Sequence, residues 1–148
     1  MKHILSITIL FFLSFNLYGH DFIWGERIER LIEKNGSPDL YEDYLNNGSL
    51  INLTYNLPAY IRTYTFTNRQ LVGVMDVYGP FNERQLDNAF DIAMMLSDIF
   101  LNKYTYEKEI NYGFQFKYGN DIILLQILSD ERMRNLVTVV VFYRSPFI

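Results

Sequence analysis

Cysteine is absent from this chain of 148 residues, tryptophan occurs once and histidine twice. Without cysteine there is no disulfide framework, no thiolate metal site and no lipobox residue to acylate. The scarcity of histidine removes most nucleophilic chemistry, because a Ser–His or Cys–His couple needs an imidazole beside the nucleophile. Beyond residues 1–19 only His20 remains. An N-terminal histidine can chelate copper through its amine and ring, but such a site asks for a second imidazole that the chain lacks. Positive charge is also short. Thirteen basic residues face 17 acidic ones, for a formal net charge of −4. No Lys/Arg stripe exists, so nucleic acid and anionic lipid are poor partners. The glycines at 73, 79, 113 and 119 are isolated and form no phosphate loop. Asp39, Glu42 and Asp43 have a helical spacing that matches no calcium loop, and Asp130–Glu131 reads as a solvated turn. No cofactor and no metal site is expected.

What is present begins with MKHILSITILFFLSFNLYG. Lys2 and His3 give a positive start, Ile4 to Phe15 are mostly apolar, and Asn16 to Gly19 form a more polar exit. That layout predicts a secretory signal peptide over residues 1–19, with an apolar core too short to span a membrane. The expected location is periplasmic or secreted, in a bacterial envelope. The remainder, 20–148, is about the size of one domain with one core. Almost half the chain is apolar, and 12 tyrosines and 12 phenylalanines supply the bulk of a core that no disulfide staples.

In FIWGERIERLIEKNG, Ile28, Leu31 and Ile32 share one helical face. Asn35–Gly36 stops that helix and Pro38 prevents its resumption. Ser37 caps a second short helix, expected around Asp39 to Leu45. The period then changes to two. Ile51, Leu53, Tyr55 and Leu57 alternate with Asn52, Thr54 and Asn56, and further strands are expected over 60–67 and 70–78, the last closed by Gly79–Pro80. Asn82 and Gln85 form a capping-box pattern that opens the longest helix, running to about Asn102. Its apolar stripe is Leu86, Ala89, Phe90, Ala93, Leu96, Ile99 and Phe100, with Met94 and Met95 at the margin. Three more strands follow, over 110–118, in IILLQIL and in LVTVVVFY. The expected fold is α+β in two layers, with helices on one face of a mostly antiparallel sheet of about six strands. The order is α-α-β-β-β-α-β-β-β, two units alike in element order.

A helix pair broken by Gly36-Ser37-Pro38, then a meander ending in TNRQLVGVMDVYG, resembles the BamE/SmpA-like family of small bacterial envelope domains. The resemblance covers residues 21–80. The β-lactamase-inhibitor proteins share that architecture in tandem. The resemblance implies a non-catalytic module that binds other proteins with its sheet or helix face. BamE proteins carry a lipid on a cysteine, which this chain lacks.

The candidate contact residues are aromatic. Tyr112, Phe114, Phe116 and Tyr118 share one strand face, which is core if it meets the long helix and a partner-binding patch if it is exposed. Trp24, beside Gly25, either wedges the first helix against the sheet or stacks on a ligand. The leading expectation is a non-catalytic exported protein-binding module, an envelope accessory factor or an inhibitor, whose partner is another envelope or secreted protein. A small-molecule or lipid carrier, with a pocket between the long helix and the aromatic face, is the first alternative. A carboxylate-based hydrolase, with two acids facing each other in a cleft, is the second. An outer-membrane barrel is disfavoured by the amphipathic helix and the short strands.

Overall fold

The computed structural model describes residues 22–129 and 136–146. The expected signal peptide lies outside the described residues, as does most of the polar loop before the last strand.

Helix α1 spans Ile28–Asn35 and buries Ile28 and Leu31. It starts later than the apolar pattern suggests, because residues 25–28 bond to the neighbouring hairpin instead. Gly25 N donates to Leu71 O (2.9 Å), Leu71 N to Glu26 O (2.9 Å) and Ile28 N to Arg69 O (3.1 Å). Gly36 ends the helix at φ 82°, a conformation other residues rarely adopt, and its N–H donates to Ile32 O.

The short helix expected around Asp39 to Leu45 does not form. Leu40–Asp43 is strand β1, paired antiparallel with β2 (Leu50–Asn56) from Leu40↔Thr54 to Asp43↔Ile51. So short a segment gains little as an isolated helix, whereas an open strand edge offers it a full hydrogen-bond ladder. Asp39 contributes by accepting from Asn56 N at 2.7 Å. Strand β3 (Ile61–Thr67) and β4 (Gln70–Phe81) form a hairpin whose tip, Asn68–Arg69, has both φ angles positive. Strand β4 does not stop at Tyr78. It continues to Phe81 with Gly79–Pro80, a cis peptide, as an irregularity in the ladder.

A single 3-10 turn, Glu83–Gln85, carries the expected capping box and leads into helix α2, Leu86–Lys103. The chain then forms β5 (Thr105–Ile110), β6 (Gly113–Tyr118), β7 (Asp121–Ser129) and β8 (Val137–Arg144). All eight strands join one antiparallel sheet in the order β1-β2-β3-β4-β8-β7-β6-β5. The expected fold class is therefore overturned. The architecture is an eight-stranded sheet with two helices among the described residues, in place of six strands under three helices. The two unexpected strands, β1 and β5, are the sheet's edges. With a partner on one side and little burial, neither shows an alternating pattern.

The sheet order reads the same from either edge. Each half is a helix followed by a four-stranded meander, and the halves meet along β4 and β8. One continuous core fills a single face of the sheet: Ile51, Leu53, Tyr64, Phe66 and Val74 from one half, and Phe116, Ile123, Leu125, Val139 and Val141 from the other. Ile28 and Leu31 of α1 and Ala89, Leu96 and Phe100 of α2 complete it. Near the junction lies a buried ion pair. Arg62 and Asp76 are register partners whose side chains meet bidentately, Nε–Oδ1 at 2.6 Å and Nη2–Oδ2 at 2.8 Å. The guanidinium also lies 5.4 Å from the Tyr60 ring and 5.9 Å from those of Phe22 and Tyr64. Burial pushes the phenol of Tyr143 well above its ordinary value, with the Asp76 charge adding to it, and raises those of Tyr78 and Tyr104 in the same way.

Candidate functional site: a groove between the long helix and the β5–β6 hairpin

Helix α2 is more apolar than one buried stripe requires. Ala89, Leu96 and Phe100 face the core, but Phe90 is 53% exposed and Met94 is 66% exposed. Phe90, expected inside the sheet-facing stripe, is thus a surface residue. Together with Ala93, Ser97 and Asp98 these two side chains form one wall of a groove of about 610 Å³. They sit at i, i+3, i+4, i+7 and i+8, one continuous helical edge.

The opposite wall is the β5–β6 hairpin, with Glu109, Tyr112 and Phe114. Leu125 and Ile127 of β7 also line the groove. The tip of this hairpin is built unusually. Gly113 lies so close to β7 that a Cβ there would come within 1.8 Å of the Leu125 carbonyl oxygen. Only glycine fits that approach. The adjacent Tyr112 has φ 60° and is 80% exposed, while its carbonyl accepts from Ile127 N at 2.9 Å. A side chain in the left-handed region costs roughly 1–2 kcal/mol. The exposed ring gives little burial in return, and no ring contact to it exists among the described residues.

The expected aromatic face does not act as a unit. Phe116 is fully buried, 5.6 Å from the Phe100 ring, and belongs to the core. Tyr118 is exposed and packs edge-on to Tyr104 at 5.6 Å, outside the groove lining. Phe114, 38% exposed, and Tyr112 line the groove, with Tyr112 in the turn rather than on the strand. Trp24 sits elsewhere. It is half-buried, 5.0 Å from the Phe22 ring, packs against the core and lines a separate charged cleft with Arg27, Arg30 and Glu33.

Two carboxylates, Asp98 and Glu109, line the groove from opposite walls. Both are exposed, whereas a glycosidase acid works from a desolvated site. Among the described residues no three His, Cys, Asp or Glu side chains gather where they could hold a metal ion. Nor is any helix there long and apolar enough to cross a membrane.

The other sheet face has its own apolar strip, with Met75, Phe142 and Leu124 in one cross-strand row and Val77 beside Val140. These side chains are half-buried or better, whereas Phe90, Met94 and Tyr112 of the groove are exposed. The groove is the stronger candidate.

No protein-family model and no curated protein matches this chain. A solved structure with some likeness is that of a cysteine-rich secretory protein from Staphylococcus aureus, at a TM-score of 0.45 and 14% identity. The likeness covers 82% of this chain and 42% of that one, so this chain spans less than half of that protein's length.

Proposed function

We propose that this chain is a non-catalytic exported protein-binding module and that the α2–hairpin groove is its contact site. One observation carries the reading. Phe90, Met94, Tyr112 and Phe114, four large apolar side chains, are exposed around a single concavity rather than scattered. Such clustering marks contact surfaces, since single exposed apolar residues are ordinary and concave clusters are not. An open groove along a helix edge suits a peptide segment or a partner's loop. The leader-like start of the sequence supports a periplasmic or secreted setting, with an accessory factor or an inhibitor as the role. The BamE/SmpA-like resemblance of residues 21–80 points the same way, although the second helix of the expected pair is strand β1.

A second reading is favoured by one number. The groove volume of about 610 Å³ lies within the range of small-ligand sites, which suits a carrier of an amphiphilic molecule. In-cell crosslinking of the tagged, natively exported chain, followed by mass spectrometry, separates the two. The binding-module reading expects one stoichiometric partner protein, lost in the variant Phe90→Asp/Met94→Asp. Recovery of the monomer alone, with a small molecule released on extraction, favours the carrier.

A further inference from the structure

The groove carries an electrostatic instruction as well as an apolar one. Three acids of this protein are matched to cations: Glu29 to Arg69, Asp76 to Arg62 and Glu107 to Lys117. Asp98 and Glu109 are not, and no cation pairs with either among the described residues. No lysine or arginine lines the groove. A wholly apolar occupant would strip water from two carboxylates and return nothing to them, which is costly. An occupant with a positive charge between the walls removes that cost and gains attraction from both sides.

Tyr112 fits the same occupant. Its ring stands at the groove mouth from a backbone conformation that glycine would hold more easily. The face of a tyrosine ring attracts a cation and covers the methylene stem that carries it.

We propose that the groove takes a peptide segment in which a basic side chain lies between apolar ones. The apolar side chains pack on Phe90, Met94 and Phe114, and the basic group lies between Asp98 and Glu109 under Tyr112. The proposal rests on the reading of the groove as a protein-contact site, and the test keeps the two apart.

The probe is a random heptapeptide display library selected against the full, natively exported chain, with Phe90→Asp/Met94→Asp as counter-selection. Selected peptides are then measured by fluorescence anisotropy. The proposal expects enrichment of Lys or Arg flanked by apolar residues. Affinity should fall about threefold to fivefold for each of Asp98→Asn and Glu109→Gln, and fall further as salt is raised. Groove-dependent peptides without a basic residue, or basic ones indifferent to both substitutions, would overturn the proposal and leave the contact site standing. Failure to select any groove-dependent peptide would remove both. Tyr112→Gly supplies a variant that must fold. Its melting temperature should equal or exceed that of the wild type while binding weakens, and undiminished binding would exclude the ring from the site.

Discussion

Replacing Asp76 by Asn tests the account of the core at its most charged point. The carboxylate side chain of Asp76 is 3% exposed and that of its partner Arg62 is 6% exposed. The substitution keeps the shape but takes from the buried guanidinium the carboxylate charge that it meets bidentately. Breaking one side of a buried pair costs about 3–5 kcal/mol, because the remaining charge stays desolvated. The rings of Tyr60, Phe22 and Tyr64 lie 5.4 Å, 5.9 Å and 5.9 Å from the guanidinium, near the outer limit of cation–π contact, and do not replace the two hydrogen bonds that the carboxylate accepts. Against a total stability of about 5–15 kcal/mol, the loss is a large fraction. In a domain of this size it lowers Tm by on the order of 10–25 °C. The double variant Arg62→Met/Asp76→Leu removes both charges and should recover much of the loss, with a coupling of about 2 kcal/mol or more. Urea unfolding at neutral pH, followed by circular dichroism and by Trp24 fluorescence, measures the wild type, Asp76→Asn, the single variants Arg62→Met and Asp76→Leu, and the double variant. A single-variant loss below about 1 kcal/mol would refute the reasoning. So would a double variant as unstable as the two singles added together.

Other consequences follow from the same core and from the hairpin. The phenols of Tyr78, Tyr104 and Tyr143 titrate above their ordinary value of 10.0 in the folded protein, so folding holds their protons. Their stabilisation is complete below pH 10 and is lost as pH rises toward the folded values, by up to about 1.4 kcal/mol per pH unit for each ring. Alkaline unfolding and tyrosinate absorbance should therefore rise together, and ionisation of all three rings without unfolding would contradict this. Gly113→Ala drives a Cβ into the β7 backbone and should cost about 3 kcal/mol or more, read as a lowered urea midpoint. The Tyr55 hydroxyl donates to Gly36 O at 2.9 Å, so Tyr55→Phe should cost about 1 kcal/mol in the same assay.

The strands with one buried face were legible as alternation. Ile51, Leu53 and Tyr55 are all buried, with polar residues between them. The edges were not legible, for a physical reason. In β5, Tyr106 to Glu109 are exposed on both faces, so nothing in the pattern separates the strand from a loop. At β1, the Ser37 cap suggested a short helix where pairing with β2 decided the outcome. The Arg62–Asp76 pair was hidden because each charge looks like a wet-face residue until the β3–β4 register sets them opposite each other. The groove was half visible. Tyr112 and Phe114 stood out as aromatics, but Phe90 and Met94 looked like core and margin. A helix apolar around most of its circumference does not reveal which part the sheet will cover. Asp98 and Glu109 carry no motif and acquire meaning only from the walls they sit on.

The most direct test of the central claim is positional photocrosslinking in cells that express the chain. A photoreactive residue replaces Met94 or Tyr112 in the groove, or Thr63 on β3 as a control. The account predicts a covalent adduct with the same partner protein from both groove positions and none from Thr63. Adducts from Thr63 alone, or none from either groove position, would contradict it.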